Sequence, residues 1–176
     1  MADALHGCAG EELAECGFVE RRIERLVNPQ LSDLPPFLVK ASGLNSGFMV
    51  AQISAAALAA EARVLASPAS VHSIPTSGNK EDFVSMGWYA AVKAARLAEI
   101  LAQVLSLELL CAAQGLDFLR PLRPGRGAMV AHEAIRRHVP HLAQDRVIRD
   151  DLDRVLPLLE DGSLLGAVET AVGRLA

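Results

Sequence analysis

Aromatic side chains are scarce in this 176-residue chain: one Trp, one Tyr and five Phe make up 4% of it, while hydrophobic residues as a whole make up 51%. The apolar content is therefore mostly Ala, Leu and Val. That mixture suits close-packed helices and argues against a sheet, whose pleated faces favour aromatic and β-branched side chains. A block of Lys and Arg is missing too. The 17 basic residues are interleaved with 21 acidic ones, for a formal charge of −4 and a pI near 5.7, which excludes the basic footprint of a nucleic-acid binder.

Cysteine is sparse and odd in number. Cys8, Cys16 and Cys111 match no zinc or redox spacing and read as reduced thiols of a cytoplasmic protein. The start, Met1-Ala2-Asp3-Ala4-Leu5-His6, lacks the basic and apolar regions of a signal peptide. Two apolar stretches approach membrane length, but Glu61 and Arg63 limit the first, and Glu99, Gln103, Glu108 and Gln114 punctuate the second. No membrane span is expected, because intramembrane charge is costly. His132, His138 and His141 have no acidic partners in register and read as surface or cap residues, so no metal site is expected. Arg120, Arg123 and Arg126, spaced around prolines, could hold an anion but read more simply as a solvated loop.

What the sequence does contain is helical periodicity. After a tail over residues 1–10, a single helical domain is expected over 11–176. Leu13, Val19, Ile23 and Leu26 predict a first helix from Glu11 to Val27, ended by Asn28-Pro29 because a residue before proline avoids the helical region. A second helix is expected from Ser46 to Ala66, capped by Asn45 or Ser46 and stopped by Ser67-Pro68. Its Ala55, Ala56, Ala57, Ala59 and Ala60 leave room for a neighbouring backbone. A third, very long helix is expected from Glu81 to Ala113, started by Ser77 or Asn79, with Glu81 and Asp82 complementing the dipole of its first turn. Shorter amphipathic helices follow over Ala128–His138, Ile148–Glu160 and Leu164–Leu175.

The third helix sets the expected architecture. From Leu97 to Leu110 it is apolar on nearly every side, and a helix apolar all round is buried all round. More than thirty residues at 1.5 Å each make a rod of roughly 50 Å. The remaining helices are too short to cover it. The expectation is an all-α, elongated helical bundle with one very long central helix, assembling with other chains.

Several blocks then carry a resemblance. Leu34-Pro35-Pro36-Phe37-Leu38 precedes Leu44-Asn45-Ser46-Gly47-Phe48-Met49-Val50-Ala51-Gln52, followed by Leu65-Ala66-Ser67-Pro68-Ala69-Ser70-Val71. Next comes Ile74-Pro75-Thr76-Ser77-Gly78-Asn79-Lys80-Glu81-Asp82-Phe83-Val84-Ser85-Met86-Gly87, then Gln114-Gly115-Leu116-Asp117-Phe118 and Val139-Pro140 with Asp145-Arg146. In this order, from about Glu11 onward, they resemble the C-terminal helical portion of the aromatic amino acid ammonia-lyases of the histidine ammonia-lyase type.

The resemblance implies a role for one residue above all. Glu81 matches the family's glutamate that lies in the active site, near the substrate ring and the electrophile. A carboxylate can accept a hydrogen bond from an imidazole N–H or exchange a proton with it, as an amide cannot. Phenylalanine-preferring relatives tend to have Gln there, so Glu81 points to histidine. Asn79 matches a neighbouring polar residue, expected with Glu81 at the substrate-binding site and shaping the loop rather than doing chemistry. Without the family, Glu81 would read as a helix acid satisfied by the dipole.

There are departures. Lys80 stands where the family usually has Gln, Phe83 where His is common, and His72 where Asp is usual. An ammonium close to Glu81 would lower its pKa. The family's methylidene-imidazolone electrophile forms from an Ala-Ser-Gly triplet, but Ala41-Ser42-Gly43 lacks the sequence that follows the true motif and reads as a loop before a capped helix. The family's electrophile, its tyrosine base and its carboxylate-holding arginine come from a preceding region without counterpart here. Tyr89, the only Tyr, lies in the long helix.

Two readings follow. The leading one is the C-terminal subunit or fragment of an ammonia-lyase that converts histidine to urocanate and ammonia. It would supply Glu81 to a composite site in a tetramer-like homo- or hetero-oligomer. An N-terminal chain bearing the methylidene-imidazolone would complete that site, with no cofactor on this chain. The alternative is a catalytically inactive helical oligomerisation or binding module derived from that family.

Overall fold

The computed structural model describes the backbone of residues 2–175 and the side chains of residues 10–175. Seven α-helices and no strands form among the described residues: α1 Ala2–Val27, α2 Pro29–Ser32, α3 Met49–Leu65, α4 Gly87–Phe118, α5 Arg126–His138, α6 Ile148–Glu160 and α7 Ser163–Val172. The fold is all-α, as the scarcity of aromatic residues implied. α4, at 32 residues, is the spine. It packs most extensively on α1 and then on α3 and α6, while α5 and α7 pair beside one end.

Several boundaries differ from the periodicity. α1 begins at Ala2 rather than Glu11, since no proline precedes Pro29 to stop it. α3 begins at Met49 without a side-chain cap. Gly47 has φ +56, and the N–H groups of Ser46 and Gly47 donate to Asp145 rather than to Asn45 or Ser46 oxygens. α4 starts six residues later than expected, because Ser77, Gly78 and Asn79 turn left-handed (φ 53°, 64° and 66°) and Met86 does so again at the helix entrance. It runs on past Ala113 to Phe118, and within that extension Gly115 lets α4 approach the loop before α3. A Cβ there would stand 3.2 Å from Leu34. α5 begins two residues earlier than expected, at Arg126. α7 ends at Val172, ahead of Gly173 with φ +90.

Burial of α4 is one-sided. Leu97, Ile100, Val104, Leu107, Leu110 and Cys111 face the core with Val19 and Ile23 of α1 and Ala51 and Ala55 of α3. Leu101, Leu105 and Leu109 are only partly covered. At the other end Trp88, Tyr89 and Val92 are exposed. The rod is therefore not dry all round within this chain. By length and composition α4 could cross a membrane, but 50% of its most apolar window is buried inside the bundle.

One buried amide stitches the core to its flanking loops. Gln114 is fully buried. Its Nε2 donates to the carbonyls of Leu38 (3.0 Å) and Leu142 (2.9 Å), and its Oε1 accepts from Leu142 N and Arg136 Nη2, both at 3.1 Å. Two donors and two lone pairs are all used, the condition for burying a polar group without penalty.

Candidate active-site turn and a polar cluster at the end of the long helix

Glu81 sits on a short, tightly tied turn ahead of α4, not in the helix's first turn. Thr76 and Glu81 form an isolated antiparallel bridge, with Thr76 N donating to Glu81 O at 2.9 Å and Glu81 N to Thr76 O at 3.4 Å. The side chain is held from the same side: Thr76 Oγ1 donates to Oε2 and Ser77 Oγ to Oε1, both at 3.3 Å. The helix-dipole explanation for this acid therefore lapses. Its partners are two hydroxyls five and four residues back, and the carboxylate is exposed.

The turn is made by an unusual run of backbone. Ser77, Gly78 and Asn79 all have φ between 53° and 66°, and for residues with a Cβ the left-handed helical region costs roughly 1–2 kcal/mol each. Asn79 is a residue type that tolerates it. Such strain persists only where the surroundings enforce it, and it concentrates at functional sites. Glu81, Asn79, Lys80 and Phe83 all face outward. Ser73 Oγ accepts from Val84 N at 2.9 Å, closing the loop, and Lys93 of α4 donates to the Ser67 carbonyl.

Ala41-Ser42-Gly43 is an exposed turn in which the Ala41 carbonyl accepts from Leu44 N (3.1 Å) and Asn45 N (2.9 Å). An electrophile needs a water-shielded cradle with a base at hand. These open residues do not fit a methylidene-imidazolone, and no step is derived through one here.

A second polar centre, at the end of α4, was not legible in the sequence. Asp117 is 8% exposed and binds four cationic or ionisable side chains. Arg136 donates Nε to Oδ2 at 3.0 Å. His132 Nε2 lies 2.9 Å from Oδ1 and His141 Nδ1 2.9 Å from Oδ2, while Arg120 Nη2 reaches Oδ1 at 3.3 Å. Burial raises the Asp117 carboxyl's pKa, but the bonds from His141 and His132 and the charge of Arg136 outweigh it and hold it below the ordinary carboxylate value. His132 and His141 are thus ligands of a carboxylate rather than cap residues, and His138 is exposed. Among the described residues no three or more His, Cys, Asp or Glu side chains group as metal ligands would. Arg120 pairs with Asp117, and Arg126 opens α5 instead of lying in a solvated loop.

Residues 8–137 match the family described as aromatic amino acid lyase. The chain belongs to the aromatic amino acid lyase family. Histidine ammonia-lyase of Myxococcus xanthus is 54% identical over 152 residues, covering 86% of this chain and 30% of the relative. Histidine ammonia-lyase of Gloeobacter violaceus is 52% identical over 176 residues, 99% of this chain and 34% of the relative. Among solved structures, histidine ammonia-lyase from Trypanosoma cruzi superposes with a TM-score of 0.93 at 45% identity, over 97% of this chain and 34% of that one. Tyrosine aminomutase from Streptomyces globisporus gives 0.90 at 38% identity, over 97% and 33%. This lyase-family chain spans about a third of the length of the relatives it matches.

Proposed function

We propose that this chain is the C-terminal helical portion of a histidine-type ammonia-lyase and supplies Glu81 to a composite active site. The observation that carries the reading is the pairing of 52% identity to a histidine ammonia-lyase along 99% of the chain with an exposed carboxylate on a left-handed, doubly hydroxyl-tied turn. A carboxylate held this way can accept the imidazole N–H of histidine or exchange a proton with it. Asn79 shapes the turn beside the substrate.

One carboxylate cannot eliminate ammonia: the amine must be activated by an electrophile, and a weakly acidic β-proton needs a base. In this reading both are supplied by an N-terminal lyase chain that carries the methylidene-imidazolone. The half-covered α4 and the exposed Trp88, Tyr89 and Val92 supply apolar surface for a cytoplasmic, tetramer-like assembly with it.

The test is co-expression with an N-terminal ammonia-lyase chain, followed by co-purification and ultraviolet assay for urocanate from histidine and cinnamate from phenylalanine. A stable complex that makes urocanate, and loses turnover but not assembly in Glu81→Ala, is the expected result. Neither complex nor product would reject the reading. An assembly whose cellular role survives Glu81→Ala would favour the catalytically inactive helical module.

A further inference from the structure

We propose that the cavity between the end of α4, the α4–α5 loop and α5 binds a small oxyanion carrying two or more negative charges, of the phosphate or polycarboxylate class. The cavity has a volume of about 1110 Å³. Five cations line it, Lys40, Arg120, Arg123, Arg136 and Arg137, against two carboxylates, Asp117 and Glu133. The chain as a whole is acidic, at −4, so this excess of positive charge is local.

The five are not equivalent. Arg136 is committed to the fold: it donates to Asp117, to the Val139 carbonyl and to Gln114 Oε1. Arg120 also spends a donor on Asp117, whose single negative charge is already shared with Arg136 and two imidazoles. Asp117 therefore has nothing left to neutralise the rim. Lys40, Arg123 and Arg137 form no ion pair with any described carboxylate. They come from three separate segments: the loop before α3, the α4–α5 loop and the last turn of α5.

Like charges drawn from distant parts of a chain to one concavity repel one another, and a concave wall concentrates their field. An incoming oxyanion removes that repulsion. Arginine forks also suit it, because a guanidinium presents paired N–H donors to two oxygens of a phosphate or carboxylate. All five cations line the same open pocket. This site is independent of the Glu81 turn; only the assembled-chain arm of its test rests on the lyase reading.

The experiment is isothermal titration calorimetry of the full chain with inorganic phosphate and with citrate. Ionic strength is held constant with potassium chloride, and Arg123→Gln/Arg137→Gln is compared with Arg149→Gln, whose only described ion pair is with Asp153 on α6. Neither Arg123 nor Arg137 forms an ion pair among the described residues, and thermal melting checks that the double variant remains folded. We expect saturable 1:1 binding, weakened at least tenfold in the double variant and unchanged in Arg149→Gln. Three results would overturn the proposal: no saturable heat beyond that of chloride, equal affinity in all three proteins, or loss of phosphate binding when the chain is assembled with its N-terminal partner. The last would assign the cavity to acidic side chains of that partner.

Discussion

Asp145 holds the backbone at Gly47 from 98 residues away: its Oδ1 accepts Gly47 N–H at 2.8 Å, while Oδ2 takes Ser46 N–H at 2.7 Å. Asn45 returns the contact, its Oδ1 accepting Asp145 N–H at 3.2 Å. The loop before α3 and the loop before α6 are thus locked together. Gly47 is the one position at the join that only glycine fits.

Replacing Gly47 by Ala tests that join. A Cβ there would meet the Phe37 carbonyl oxygen at 2.4 Å and Val39 Cγ1 at 2.9 Å, at φ +56. The backbone oxygen cannot retreat without losing its bond from Phe48 N. A loss of about 3 kcal/mol is expected, from clash and left-handed strain together, read as a lower urea midpoint. Gly166→Ala in α7, where nothing lies within 4 Å, should instead stabilise by roughly 0.5 kcal/mol through helix propensity. Equal effects at the two sites would refute the steric account.

Asp117 should make the fold acid-sensitive. Its carboxyl has a lower pKa folded than unfolded, so its contribution is present in full above the unfolded value. That contribution is lost as pH falls through the folded one, a window below about pH 4. Asp117→Asn leaves Arg136 buried without its counter-ion and should cost roughly 3 kcal/mol at pH 7. The cost should shrink as pH is lowered through that window. A penalty independent of pH, measured by chemical denaturation between pH 3 and 7, would remove charge from the explanation.

The described thiols should be inert. Cys16 and Cys111 are both fully buried, and burial pushes both thiols above their ordinary value, aided at Cys16 by Glu12 and at Cys111 by Glu108. The thiolate is the reactive form. Peptide mass mapping after iodoacetamide treatment should find both unmodified in the native protein and alkylated in urea. Rapid native labelling of Cys111 would mean that the α1–α4 seam opens.

Glu81→Gln should separate structure from chemistry. Glutamine keeps one acceptor oxygen, and its NH2 can donate to the other hydroxyl, but it cannot take a proton. The melting temperature should therefore stay within error of the parent, while under the proposed composite-site reading turnover of the complex falls at least a hundredfold, the typical share of a proton-transfer group. Full turnover in the variant would strip Glu81 of any acid–base part.

The boundaries of α6, Ile148–Glu160, were readable residue for residue, because amphipathic spacing and the acidic first turn of Asp150 and Asp151 are local signals. So was the all-helical class, and the ordered family blocks around Asn79 and Glu81 identified the kind of protein. The start of α4 was not readable: it depends on a left-handed turn closed by Thr76 and Glu81, whereas the capping residues Ser77 and Asn79 and the acidic pair Glu81 and Asp82 pointed to a helix start at Glu81. Nor could the sequence pair Asp117 with His132, Arg136 and His141, or Asp145 with Gly47. Helical periodicity is written within a few neighbouring residues, whereas the partners of a buried charge or a loop N–H are chosen by which segments the packed helices bring together. Composition determined that a long apolar rod would form, and tertiary packing decided which side of it the chain covers.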